Sequence, residues 1–294
     1  MSTHKLVPGT LQGRVTELSK RIRKQGREPY RELVEDAGVR FLLTLLDQTE
    51  KRKEQTNAEN PFLHPDPELI IADLSETHLA ILNRYSVWEN HLLIITRAFE
   101  PQEMLLTLAD FEALWICMRE YEAIGFYNGG RDAGASQAHK HLQLLPLPFF
   151  PKLPSVPIEP LVSEALEKGL STIPRFSFLH TFAPLNRNIT SDPQTAARIC
   201  FKLYGSLLGR LGMPAPLQGV PMKQVMPYNL LLTRDWMLLA PRSRECFNGI
   251  SLNSLAYAGS FYVQNREELD LLKGAGLLQV LASVSLPDRK AFNE

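Results

Sequence analysis

Residues 127–144 read Tyr-Asn-Gly-Gly-Arg-Asp-Ala-Gly-Ala-Ser-Gln-Ala-His-Lys-His-Leu-Gln-Leu, a glycine-rich turn that runs directly into His139-x-His141-x-Gln143. The segment from Leu142 to Leu147 has strand character. Side chains alternate faces along a strand, so His139, His141 and Gln143 share one face and Lys140, Leu142 and Leu144 the other. Three polar side chains on one face of an otherwise apolar strand require partners or a ligand. Upstream, Gly129, Gly130 and Gly134 allow backbone N–H groups to approach an anion closely, and Ser136 and Gln137 add donors. A donor-rich loop beside paired histidines points to a phosphate site that contains a nucleophile.

The alternatives are a structural pair of histidines and a metal site. His-x-His on a strand can hold zinc, but a zinc site needs three or four protein ligands. The other histidines are His4, His64, His78, His91 and His180, and the cysteines are Cys117, Cys200 and Cys246. None shows a paired ligand spacing, so no metal site is expected.

Composition narrows the function classes. The 294 residues contain 32 Lys+Arg and 32 Asp+Glu, a net charge of zero that provides no field to hold a polyanion, so nucleic acid is not an expected partner. Three scattered cysteines fit a reducing compartment. The chain has no apolar run of membrane-spanning length, and its start lacks the basic-then-apolar pattern of a signal peptide, so a cytoplasmic protein is expected.

In chain order, residues 10–25 predict a helix through Leu11, Val15, Leu18 and Ile22, and residues 34–46 a second through Val39, Phe41, Leu42 and Leu45. The charged run from Glu50 to Asn60 reads as a loop. It is either a solvated face or a basic flap that brings Lys51 or Lys53 to a polyphosphate. Three short strands are expected at Leu69–Leu74, Ala80–Tyr85 and His91–Thr96. Thr107-Leu-Ala-Asp110 forms a capping box that opens a helix with Phe111, Leu114, Trp115 and Met118 on one face, ending at Gly125. Six of the 21 prolines fall between Leu145 and Pro160, which predicts an extended linker and a domain boundary. Beyond it, a helical patch is expected near Leu161–Gly169, a helix entered through Ser191-Asp192-Pro193, two strands at Tyr228–Thr233 and Trp236–Pro241, and mixed turns and helix from Ser251. Asn83…His91–Arg97 echoes Asn229…Trp236–Arg242, weak evidence for related halves.

At neutral pH a histidine with an ordinary pKa near 6.5 offers a free lone pair for attack on an α-phosphorus. The product would be a covalent nucleotidyl-histidine, which divides one transfer into two displacements. A carbonyl that accepts from the nucleophile's Nδ1–H would set its tautomer. Gln143 does not exchange a proton near neutral pH, so it serves poorly as a general acid or base. A site whose acceptor is already an anion needs no such group, which favours group transfer or phosphorolysis over hydrolysis.

The pattern Asn128…Gly134-x-Ser136-Gln137-x-His139-x-His141-x-Gln143 resembles the transferase branch of the histidine-triad superfamily, and within it the ATP adenylyltransferases, also called diadenosine tetraphosphate phosphorylases. Asn60-Pro-Phe-Leu, Leu82-Asn-Arg-Tyr85, His91–Arg97, Phe126–Gly130 and Tyr228–Arg234 occur in the matching order. The resemblance implies His141 as nucleophile, His139 as its support and Gln143 at the phosphate. It also implies nucleotide contacts from Asn83, Arg84, Asn128, Gly134, Ala135, Ser136, Gln137, Tyr228 and Asn229. Where the family often has Leu-Asn-Lys, Arg84 stands here, and His64 stands where the family usually has proline or another residue.

The implied fold is α+β, a histidine-triad-like antiparallel sheet with helices on one side, partly repeated in the C-terminal half. The implied domains are a catalytic domain over 1–150, a proline-rich linker over 151–175 and a C-terminal adenylyltransferase domain over 176–294. The implied reaction is phosphorolysis of diadenosine tetraphosphate to ATP and ADP through an adenylyl-histidine, with adenylyl sulfate as a further substrate of some members. The partners would be those nucleotides and phosphate. No tightly bound cofactor is implied, although a divalent cation such as Mg can accompany the nucleotide. A hexose-1-phosphate uridylyltransferase is the neighbouring alternative, usually with proline where Lys140 stands, and a non-catalytic nucleotide-binding module is a second.

Overall fold

The computed structural model describes residues 5–22, 29–46, 60–151, 153–188 and 192–288. Helix α1 (Leu11–Ile22) buries Leu11, Val15 and Leu18 along one stripe, as their spacing predicts. Strands β1 (Tyr30–Asp36) and β2 (Val39–Leu45) follow. This corrects the helix expected over 34–46. Asp36 pairs with Val39 across a two-residue turn in which Ala37 and Gly38 both have positive φ (50° and 79°), the geometry that closes a tight hairpin. The apolar residues are spaced as a helix would space them, but β2 is the middle strand of the sheet β1-β2-β13 and is buried on both faces from Phe41 to Thr44.

Next come β3 (Ile70–Asp73), β4 (His78–Leu82), β5 (Leu92–Thr96), α2 (Leu108–Met118), β6 (Ala123–Gly129) and β7 (His141–Pro146). The Thr107/Asp110 capping box is present at the start of α2. The helix ends at Met118 and not at Gly125, which lies within β6. A Cβ at Gly125 would lie 2.9 Å from Leu114 Cδ1, so the glycine lets α2 lie close on the sheet. The remaining elements are α3 (Glu159–Glu167), β8 (Thr181–Pro184), α4 (Pro193–Arg210, capped by Asp192), β9 (Tyr228–Leu232), β10 (Trp236–Pro241), the two-residue strands β11 (Cys246–Phe247) and β12 (Ile250–Ser251), α5 (Ser254–Tyr257), β13 (Ser260–Val263), α6 (Arg266–Ala275) and α7 (Leu277–Val284). α3 falls inside the proline-rich 151–175 segment, with Leu161, Val162 and Ala165 buried.

Eight strands form one sheet in the order β3-β4-β5-β7-β6-β9-β10-β8, every pair antiparallel. The C-terminal strands continue the N-terminal sheet through β6 and β9, where Asn128 lies opposite Asn229. One face is covered by α1, α2 and α4, and its core includes Leu142, Leu144, Trp115, Cys200 and Leu230. Full burial of a side chain such as Leu142 or Phe111 contributes about 1.5–3 kcal/mol.

The opposite face carries two apolar patches. Phe62, Leu79, Ile81, Leu93 and Ile95 form one. Phe126, Leu145 and Leu231 belong to the other, beneath α3, α5, α6, α7 and the small sheet β1-β2-β13. This second layer was not expected. His141 pairs with Ile95, and Gln143 with Leu93 and Phe126, so both side chains emerge on this face between the patches.

Candidate active site

The alternation expected along the motif is present. Lys140 points to the helical side, where it is fully buried and its Nζ donates to Asp110 Oδ2 (2.6 Å), Glu100 Oε2 (3.2 Å) and the Leu105 carbonyl (3.2 Å). Burial alone would raise the Asp110 carboxyl, but the Lys140 ammonium and the His78 hydrogen bond outweigh it and hold the group below its usual range. This ion pair anchors the middle of the motif from behind.

On the other face, the Nδ1 of His141 lies 2.8 Å from the carbonyl oxygen of His139, and His141 is only 4% exposed. Its backbone N–H donates to Gln102 Oε1 (2.9 Å), while Gln102 Nε2 donates to the carbonyls of Asn128 (2.9 Å) and His141 (3.2 Å). Gln102 therefore straps the start of β7 to the end of β6. Burial pushes the His141 pKa down to about 4, so the ring is neutral at neutral pH. A neutral ring that donates from Nδ1 carries its lone pair on Nε2.

His139 is held differently. Its Nδ1 meets Asn60 Nδ2 (2.9 Å), and its Nε2 meets the Thr96 carbonyl and hydroxyl oxygens, both at 2.8 Å. Asn60 Oδ1 accepts from the Phe62 N–H, so its amide nitrogen faces the ring. His139 is thus saturated at both nitrogens, and burial lowers its pKa. Phe62 packs against both rings, with centroids 5.8 Å from His139 and 5.2 Å from His141. Gln143 is half-buried, and its Oε1 lies 3.0 Å from His91 Nε2.

The loop before the motif is shaped by Gly130 (φ 85°) and Gly134 (φ 86°). A Cβ at Gly134 would lie 2.5 Å from the Leu252 carbonyl oxygen, so only glycine fits there. Ser136 is exposed, Ala135 and Gln137 are partly so, and the amides of Ser136, Gln137 and Ala138 have no backbone acceptor among the described residues. Free amides in a turn that leads into paired histidines suit a phosphate group.

Other expected residues stand elsewhere. Asn128 and Asn229 are buried and joined. Asn128 Oδ1 accepts from Asn229 Nδ2 (3.0 Å), Ser254 N (2.9 Å) and Ser254 Oγ (2.7 Å), and Asn229 also donates to the Ala133 carbonyl (2.8 Å). Beneath them, Arg242 is 1% exposed and donates to five neutral oxygens, of Asn229, Leu252, Val284, Arg244 and Glu245. This network supports the loop from within. The Tyr228 side chain lies on the helical side, fully buried, with its hydroxyl 2.5 Å from that of Tyr204. Arg84 forms a half-exposed ion pair with Asp66 (2.6 Å), and Asn83 bonds to His91. Lys51 and Lys53, with the charged loop that holds them, lie outside the described residues. Among the described residues no group of three or more His, Cys, Asp or Glu side chains is placed to hold a metal ion. Gln102 and Ser254 carry no sequence signal, because their roles depend on chain-distant contacts.

The family model of the Ap4A phosphorylase N-terminal domain matches residues 1–164, and that of the ATP adenylyltransferase C-terminal domain matches residues 174–287. The chain is 28% identical over 252 residues to diadenosine 5',5'''-P1,P4-tetraphosphate phosphorylase 2 of Saccharomyces cerevisiae, covering 75% of this chain and 74% of that protein. It is 26% identical over 252 residues to Protein APA1 of the same yeast, covering 78% and 76%. The crystal structure of yeast Ap4A phosphorylase Apa2 shares the fold, with a TM-score of 0.74 at 22% identity over 96% of this chain and 99% of that one. The complex of Apa2 with Ap4A gives 0.73 at 21% identity over 95% and 96%. With both family domains matched in order, the chain belongs to the Ap4A phosphorylase family.

Proposed function

We propose that the protein is a nucleotidyltransferase that phosphorolyses diadenosine tetraphosphate to ATP and ADP through an adenylyl group carried on His141. The observation that carries this reading is the 2.8 Å hydrogen bond from His141 Nδ1 to the His139 carbonyl. It leaves the Nε2 lone pair of a neutral imidazole as the nucleophile. In the first displacement Nε2 forms a bond to the α-phosphorus of one adenosine, the bond from that phosphorus to the bridging oxygen breaks, and ATP departs with the electron pair. In the second, a phosphate oxygen attacks the same phosphorus, ADP forms and the N–P electron pair returns to Nε2.

Through both steps Nδ1 keeps its proton, and the His139 carbonyl stabilises the positive charge on the substituted ring. The loop amides at 136–138 and the Gln143 amide hold non-bridging oxygens. Neither acceptor nor leaving group needs a proton transfer, which suits a site without a titratable side chain at position 143. Adenylyl sulfate would enter the same first step with sulfate as leaving group, and a divalent cation such as Mg would come with the polyphosphate. The test is product analysis with diadenosine tetraphosphate. Equal ATP and ADP over many turnovers, with turnover dependent on added phosphate, support the reading; AMP formed as fast without phosphate would sink it.

A further inference from the structure

Gln143 can donate to a phosphoryl oxygen only if its amide is turned the right way round, and a glutamine amide has two orientations of nearly equal shape. The hydrogen bonds around it settle which one is held. Two backbone N–H groups, whose roles as donors are unambiguous, start the chain. The Tyr85 N–H donates to Asn83 Oδ1 (3.1 Å), so the Asn83 amide nitrogen is the atom that faces His91 Nδ1 (3.3 Å). The Trp88 N–H donates to Ser86 Oγ (3.0 Å), which leaves the Ser86 hydroxyl proton for the same His91 Nδ1 (2.7 Å). Two donors aimed at one ring nitrogen make it the acceptor. His91 is 6% exposed, its ring tilted against Phe126 at 5.9 Å, and burial keeps it uncharged, with a pKa near 3. A neutral ring that accepts at Nδ1 carries its proton on Nε2. That proton is donated to Gln143 Oε1 at 3.0 Å. The Gln143 amide nitrogen is then turned away from His91 and has no partner among the described residues.

We propose that His91 is a positioning residue that fixes the Gln143 amide with its oxygen turned inward and its NH2 toward the transferring phosphoryl group. The inference rests on the reaction proposed above and adds to it a group that does not touch substrate. Without the His91 donor, Gln143 could flip and present its oxygen to an anionic phosphoryl oxygen, replacing attraction by repulsion. The same geometry gives Asn83 a second role, to set the His91 tautomer.

The experiment is a double-mutant cycle in steady-state phosphorolysis, with thermal melts alongside. His91→Leu should lower kcat about 10- to 100-fold, less than the roughly 100- to 1000-fold cost of deleting an oxyanion donor outright, because the amide is misdirected and not removed. KM for the dinucleotide should change far less. His91→Gln, which can again donate from near the Nε2 position, should recover most of the rate. On a Gln143→Ala background His91→Leu should cost less than about twofold, because the group through which it acts is gone. Equal losses in both backgrounds, or equal rates for the Leu and Gln variants, would overturn the proposal. If His91→Leu does not melt cooperatively, His91→Met provides the same comparison. A nitrogen-15 spectrum of the wild-type histidines reads the tautomer without any substrate. The His91 ring must carry its proton on Nε2, and an Nδ1–H tautomer contradicts the proposal even if the reaction itself is as proposed. Conversely, a wild-type enzyme that leaves the dinucleotide intact but shows the Nε2–H tautomer would refute the reaction and not the orientation.

Discussion

His139 and His141 stand two residues apart on one face of the sheet, yet only one of them keeps a free ring nitrogen. His139 is bonded at Nδ1 by Asn60 and at Nε2 by Thr96, while His141 donates from Nδ1 to the carbonyl of His139 and keeps Nε2 open. The two variants should therefore behave differently. His141→Ala removes the proposed nucleophile and should lower kcat by about three orders of magnitude or more, with binding of the dinucleotide retained. His139→Ala leaves the nucleophile but loosens the strand that carries it, so it should lower both the rate and the melting temperature. Steady-state kinetics and thermal melts decide it. A near-wild-type rate for His141→Ala beside an inactive His139→Ala would reverse the two roles.

Gln143→His would place a titratable ring one strand repeat from His141. We expect phosphate-independent release of AMP to rise relative to phosphorolysis, because water must lose a proton during attack and phosphate need not. The overall rate should fall, since the amide donor is lost. An unchanged ratio of AMP to ADP in the products would contradict this.

Gly134 combines a φ of 86° with a carbonyl 2.5 Å from where a Cβ would sit. Gly134→Ala should cost about 1–3 kcal/mol of stability from backbone strain and raise KM by displacing the loop. Gly13→Ala, in α1 with nothing within 4 Å of the new methyl, is the control and should leave activity unchanged. Equal melting temperatures for the two variants would contradict the account of the loop.

Burial lowers the pKa of His139 from 6.5 and lowers three other histidines further, His91 to about 3 and His141 and His180 to about 4. Below pH 6.5 the unfolded chain binds protons at these sites that the folded protein does not. Their contribution is therefore fully present above pH 6.5 and is lost as pH falls toward the folded values. Each histidine should cost about 1.4 kcal/mol per pH unit in that window. The melting temperature should drop steadily between about pH 6.5 and about pH 4.5. A flat profile there would show that these rings are not held neutral.

The motif strand was legible in the sequence because strand alternation is strict. It placed His139, His141 and Gln143 on one face and Lys140 on the other, and the carbonyl expected at a histidine Nδ1 is found at His141. The capping box at Thr107 and the proline-entered helix after Asp192 were local signals and appear as expected. The β1–β2 hairpin was not legible, because Val39, Phe41, Leu42 and Leu45 mimic helical spacing when both faces of a strand are covered. Gly125 resembled a helix end because the reason for it, Leu114 above the strand, is a packing contact. Tyr228 sits beside Asn229 in the family pattern, but strand alternation sends its ring to the helical core. The partners Asn60, Thr96, Gln102 and Ser254 come from 26 to 126 residues away along the chain. Contacts of that reach exist only once the sheet has formed.

The most direct test is to incubate the protein with diadenosine tetraphosphate labelled at its α-phosphates, without phosphate, and analyse the denatured protein. We predict an acid-labile, base-stable adenylyl adduct that maps to His141. One equivalent of ATP should be released as it forms, and later addition of phosphate should convert the adduct to ADP. Full turnover with no label on the protein, or label on a residue other than His141, would contradict the account.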